Sequence, residues 1–190
     1  MQPSSLTLCT RRAASRGFTL VELLGVVIIV GILAVIATAS VRRYIASSKT
    51  TEAVNMIRAI KHAQDEYKNE RQEYLNVSTD LATAASYYPN NTTPGQAKMN
   101  FAGTGTVANN WALLGVNGDG PMYFVYACTA GAANSAVSTL PTELAGAANW
   151  PATTNEQWYA VAARADLRGE GVYTVFATGS FTGDTLAVNN

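Results

Sequence analysis

Hydrophobic positions are unevenly distributed along this chain. From Phe18 to Val41 every residue is apolar or small except Glu22. As a helix these 24 residues rise about 36 Å, enough to cross a hydrocarbon core of about 30 Å with some tilt. Arg42 and Arg43 close the run, but neither Pro nor Gly occurs between Val41 and Asn76, so the helix is predicted to continue to about residue 76. In this second half Ala53, Ile57, Ile60, Ala63, Tyr67 and Tyr74 recur at intervals of three, four or seven, while Lys61, Asp65, Lys68 and Glu70 take other faces. That is the spacing of an amphipathic helix. A helix from Phe18 to Tyr74 would be roughly 85 Å long, and its first half needs a partner to cover it.

Beyond Asn76 the composition shifts to Ala, Thr, Asn, Gly and Pro. A short helix near Asp80 to Ser86 and a turn-rich connection to Gly120 are predicted. Three runs rich in aromatic or β-branched residues follow, Met122 to Thr129, Trp158 to Ala163 and Val172 to Thr178, and read as strands. The last two are joined by Arg164 to Gly171 (RADLRGEG), whose glycines allow the positive φ of a hairpin connection, and a short strand near Leu186 is added. Such a sheet has one face to cover, and the stripe of Ala53, Ile57, Ile60 and Tyr67 is the long amphipathic surface available. The expected fold is therefore α+β: a long N-terminal helix, apolar in its first half and amphipathic in its second, on a small antiparallel sheet. The predicted division is a leader at 1–17, an apolar half-helix at 18–41, an amphipathic half at 42–76, and a head at 77–190 made of a variable loop (77–120) and the sheet (121–190).

Charge and cysteine content narrow the function. The 13 basic and 13 acidic residues balance, and loss of a leader ending at Gly17 would take Arg11, Arg12 and Arg16 with it. The remainder is mildly acidic, with no basic patch pointing to nucleic acid. Cys9 lies in the leader, so Cys128 would be left without an internal disulfide partner, and only pairing between chains could staple it.

Residues 1–17 are polar, basic and free of acids, which suits a targeting segment ahead of an anchor. The junction reads RGFTLVELLGVVIIVGILAVIA from Arg16 to Ala37, and it resembles the type IV pilin and pseudopilin family over about the first third of the chain. The resemblance implies that a membrane-embedded prepilin peptidase cuts between Gly17 and Phe18 and methylates the new amino group of Phe18. A carboxylate within a membrane helix costs about 2.5–3.5 kcal/mol on insertion scales and usually has a partner. For Glu22 the resemblance implies the Phe18 ammonium of a neighbouring subunit, which makes Glu22 an assembly register; the alternative is an interfacial acid reaching back to water. Gly25, Gly31, Ala34 and Thr38 are small residues that let identical helices approach closely. The chain departs from many relatives in having no Pro from Val35 to Val41.

Other signals compete. Ala37-Thr38-Ala39 is an A-x-A site that would release a protein beginning at Ser40, but the apolar run exceeds a signal peptide's 7–15 residues and the helical pattern continues past it. Arg11-Arg12 lacks a convincing twin-arginine context. Asp166, Glu170 and nearby Asp184 are candidates for a calcium loop, as is the NGDG fragment holding Asn117 and Asp119, although acids are ordinary in solvated turns. His62, the single histidine, has no second ligand at metal spacing. No nucleophile elbow, P-loop, zinc-protease motif or paired Cys motif occurs, and no enzymatic activity or cofactor is expected. Asn76-Val77-Ser78 and the overlapping Asn90 and Asn91 sites match the glycosylation sequon. Tyr44, Tyr67 and Tyr74 read as packing residues rather than an electron path.

Three functions stay open at this point. The first is a major pilin that polymerises with copies of itself into a surface pilus for adhesion, motility or DNA uptake, passing through the inner membrane. The second is a pseudopilin working with type II secretion machinery in the periplasm, and the third is a monomeric anchored binding protein. The Thr- and Asn-rich 77–120 loop favours the first.

Overall fold

The computed structural model describes residues 17–89, 94–118, 120–146 and 149–189. Cys9, Arg11, Arg12 and Arg16 of the predicted leader, the predicted glycosylation sites at Asn90 and Asn91, and Asp119 lie outside them. The chain divides into two compact units, one up to Arg42 and one from Arg43 onward, and the helix α1 (Leu20–Arg71) has residues in both.

In the first unit the apolar half of α1 presents its side chains to the outside. Leu20–Thr38 is a helical stretch long and apolar enough to cross a membrane, and no part of it is buried within the protein. Among the described residues of this unit they find no core to join, and a helix that is apolar all round is stable only in lipid or among other helices.

The second unit is built on a four-stranded antiparallel sheet in the order β1 (Val125–Gly131), β2 (Trp158–Ala165), β3 (Thr174–Gly179), β4 (Leu186–Val188). In register, Tyr126 lies opposite Ala163 and Cys128 opposite Val161, so the two-residue period of the strands sends their side chains to one face. On that face Ala53, Met56, Ile57 and Ile60 of α1 pack with Tyr126, Cys128, Tyr159, Val161, Ala163 and Phe176. Burying an isoleucine side chain is worth about 1.5–3 kcal/mol, so Ile57 and Ile60 are the main helical anchors of this layer.

Several expectations are corrected. α1 ends at Arg71 rather than near residue 76, because Gln72 turns to a left-handed φ of 64° with its N–H bonded to the Lys68 carbonyl. Tyr74 therefore leaves the helical stripe and meets the sheet instead, its ring edge-on to Tyr159 at 4.8 Å. The segment near Asp80 to Ser86 contains a single 3-10 turn at Ala84–Ser86, and the first strand begins at Val125 rather than Met122.

The sheet also has two covered faces, not one. Val125, Ala127, Trp158, Ala160, Ala162, Val175 and Ala177 pack beneath Leu81, Tyr87, Val137 and Leu144, with Trp150 and Phe181 at the margin. Nor is 77–120 a bare loop. It contains a second helix, α2 (Thr106–Leu113), which buries Trp111 against Tyr88 and Phe101. The segment also closes the outer edge of β1, where an open row of N–H and C=O groups would invite pairing with another chain. Tyr88 and Tyr126 exchange two backbone bonds of 2.7 Å, the N–H groups of Val77 and Ser78 both reach the Cys128 carbonyl, and Asn76 Oδ1 accepts the Ala130 N–H at 3.0 Å.

Two polar residues of α1 complete the attachment. Glu52 Oε1 accepts the N–H groups of Tyr123 and Phe124 at 2.7 and 3.2 Å. Gln64, fully buried in the apolar stripe, donates through Nε2 to the Leu75 carbonyl at 2.8 Å and to Cys128 Sγ at 3.1 Å. Its Oε1 accepts the Leu75 N–H at 2.9 Å, so this one amide holds the chain reversal after α1 against the helix.

Candidate processing and assembly site

Gly17, Phe18 and Thr19 precede α1 in non-helical conformation. Phe18 is 82% exposed, and nothing lies within 4 Å of where a Cβ would stand on Gly17. The Gly17–Phe18 peptide bond is thus open to an outside reagent and free of the helical ladder.

What starts the helix is a capping box. The Thr19 hydroxyl accepts the Glu22 N–H at 3.2 Å, while Glu22 Oε2 accepts the Thr19 N–H at 3.0 Å and the Thr19 hydroxyl at 2.8 Å. N–H groups that would otherwise be orphaned at the helix start are satisfied reciprocally, and a negative charge sits at the positive end of the helix dipole. The sequence carries the matching signal, Thr-x-x-Glu at 19–22, which the reading above did not use. Thr19 is the residue it missed.

Among the small residues, Gly31, Ala34 and Thr38 follow at intervals of three and four and share a helix face. Gly25, six residues before Gly31, falls on another. Nothing approaches within 4 Å of a Cβ on Gly25 or Gly31, and the Thr38 hydroxyl bonds back to the Ala34 carbonyl at 2.8 Å, so it brings no unsatisfied donor to its face.

The weaker candidates are drawn into structure. Asp166 is 4% exposed and its carboxylate accepts the N–H groups of Gly169, Glu170 and Gly171 at 2.8, 3.2 and 2.8 Å. Gly169 and Gly171 adopt φ of 72° and 75° to aim them, the role foreseen for these glycines. Burial alone would raise its pKa, but the backbone donors of Gly171, Glu170 and Gly169 outweigh that and hold it below the ordinary carboxylate value. Its oxygens thus brace a hairpin, Glu170 stays exposed, and Asp184 takes the Thr178 hydroxyl on its backbone carbonyl. Among the described residues no three His, Cys, Asp or Glu side chains gather as a metal site. His62 stands on the surface, 3.5 Å from Glu66. The 76–78 sequon is folded into a corner, with Ser78 Oγ accepting the Cys128 N–H. Cys128 is fully buried, and burial pushes its thiol up to about 12 despite the bond from Gln64, so the fold does not present it at the surface to a second chain.

Comparison with known proteins agrees with the junction. A family profile described as "Prokaryotic N-terminal methylation motif" matches residues 12–38. Fimbrial protein EcpC of Eikenella corrodens is 33% identical over 110 residues, which cover 56% of this chain and 72% of that protein. The chain belongs to the type IV pilin family. This pilin is also 39% identical over 70 residues to the type IV major pilin protein PilA of Myxococcus xanthus, covering 37% of the chain and 32% of PilA. A fimbrial protein of Pseudomonas aeruginosa is 41% identical over 70 residues, covering 37% and 46%. The pilin thus spans less than half the length of these two relatives. No solved structure matches it.

Proposed function

We propose that this pilin is the major subunit of a surface pilus, made as a precursor, cut between Gly17 and Phe18 by a prepilin peptidase and N-methylated on Phe18. Residues 1–17 are then the leader, 18–41 the segment that leaves the inner membrane for the filament core, 42–76 the segment that attaches the head, and 77–190 the head. Glu22 receives the Phe18 ammonium of a neighbouring copy and sets the axial register. Gly25, Gly31, Ala34 and Thr38 let the helices pack closely. The filament serves adhesion, motility or DNA uptake; the subunit is structural and performs no reaction itself.

The observation that carries this reading is the exposed Gly17–Phe18 junction set against a capped, wholly exposed apolar helix. Such a helix needs lipid first and copies of itself afterwards. Relatives named as fimbrial proteins and a major pilin favour the pilus over the secretion pseudopilus.

The test is the N-terminal residue and mass of the exported protein together with imaging of sheared cells. N-methylated Phe18 in filaments supports the reading. A protein beginning at Ser40, or an intact Met1 with no filament, would overturn it. Glu22→Ala should insert and be cut but leave no filament, whereas in a mere anchor the same change eases insertion and alters nothing else.

A further inference from the structure

The capping box uses the Glu22 carboxylate unevenly. Both Thr19 donors end on Oε2, and Oε1 has no hydrogen bond among the described residues. Glu22 itself is exposed. Nothing in the box lies on the leader side of the Gly17–Phe18 bond: the Thr19 N–H, the Thr19 hydroxyl and the carboxylate all remain when the leader is removed.

We propose that Thr19 is the positioning residue for subunit docking: by holding Oε2 it fixes the Glu22 side chain at the helix start and keeps Oε1 free for the Phe18 ammonium of a second copy. This rests on the reading of Glu22 as the assembly register. An ionised carboxylate offers about four lone-pair sites, and the box takes two, so docking adds to the box instead of breaking it. An N-methylated amine carries two N–H donors, which suits one remaining oxygen. A free glutamate loses much rotamer freedom when its carboxylate is ordered. Here that ordering precedes docking, which is the general route by which preorganisation favours association.

The hydroxyl is the atom that matters, so Thr19→Val, of nearly the same shape, and Thr19→Ser, which keeps the oxygen, form the test. Each is made in the full precursor and expressed in a host that assembles the wild-type filament, beside Glu22→Ala. Leader cleavage is read by mass and assembly by the sheared-filament fraction. Thr19→Val should be cut and membrane-inserted like wild type yet yield about tenfold less filament, the scale of one hydrogen bond to a charged group. Thr19→Ser should restore it. A Thr19→Val protein that assembles like wild type while Glu22→Ala does not would overturn the role of Thr19 and leave the register intact. If Glu22→Ala itself assembles, the register reading fails.

A second measurement needs no variant. In wild-type filaments mixed from differently labelled subunits, solid-state NMR should show Glu22 Cδ in contact with Thr19 Cβ of its own chain and with the Phe18 N-methyl of another. An interchain contact without the intrachain one would mean that docking breaks the box, and the proposal falls.

Discussion

Gln64 offers the sharpest test of how the head is held on its helix. Replacing it with Leu keeps the size and helix propensity but removes three hydrogen bonds. The Leu75 N–H and C=O lose their partner in a half-buried position, at about 1–1.5 kcal/mol each, the low end of the cost of an orphaned buried group. Added apolar burial returns about 0.5–1 kcal/mol, so the net loss is about 2 kcal/mol. For a unit of this size that lowers Tm by about 4–8 °C. Trp111, Trp150 and Trp158 all lie beyond Arg43, so tryptophan fluorescence of the full chain in detergent, followed on heating, reports this unit alone. Gln64→Glu adds a second arm. Protonated, its carboxyl can donate to the Leu75 carbonyl and accept the Leu75 N–H; ionised, it cannot donate and carries a buried charge. Its folded pKa would be raised, so stability relative to wild type is retained at low pH and lost as pH rises through that pKa. If Gln64→Leu melts at or above wild type, or Gln64→Glu shows no such slope, the amide is an incidental buried polar group and the reasoning is wrong.

Other outcomes follow from the same structure. Among the described residues the buried Tyr126 hydroxyl and Trp111 Nε1 have no hydrogen-bond partner, so Tyr126→Phe should be neutral or stabilising by up to about 1 kcal/mol in urea unfolding; a clear loss would reveal an interaction of that hydroxyl. Glu52→Ala strips the acceptor from Tyr123 and Phe124 and should cost about 1–3 kcal/mol, measured the same way. Asp166 and Asp80 are both held below the ordinary carboxylate value: at Asp80 partial burial, which raises it, is outweighed by the Thr83 N–H and the Thr83 and Ser86 hydroxyls. A depressed folded pKa stabilises fully above the unfolded value and is lost as pH falls through the folded one. Urea midpoints should therefore drop on acidification below the ordinary carboxylate range, and Asp166→Asn should flatten that drop while lowering the neutral-pH value. Cys128, buried with its thiol at about 12, should resist alkylation at pH 8 in the folded protein and react once denatured; rapid labelling of the native state would contradict its burial.

Information along one strand of sequence was enough for the parts of this protein that obey a local rule. A run of apolar residues as long as a bilayer is thick reads as a candidate membrane span whatever lies downstream, and the methylation motif was legible because its residues are contiguous in the chain. The strands predicted from Trp158 and Val172 followed from side-chain type, the second starting at Thr174, and their hairpin from glycines, which take a positive φ without steric cost. Even the Thr19–Glu22 box was written there, since its partners are three residues apart. The same runs, MYFVYACT and WYAVAA, are apolar on both alternating sets of positions, a sign that the sheet would be covered twice.

What covers it was decided only by tertiary structure. Leu81, Tyr87, Val137 and Leu144 come from segments with no periodicity, and they bury themselves because the sheet offers a surface, not because of any local propensity. α2 forms for the same reason, around Trp111. Gln64 sits where the helical pattern asks for an apolar residue, and its reason for being there, the Leu75 backbone and Cys128, lies 11 and 64 positions away. The end of α1 belongs to that contact too: the sequence permitted five more helical residues, but the reversal at Gln72 satisfies a buried amide that a longer helix would have left without partners.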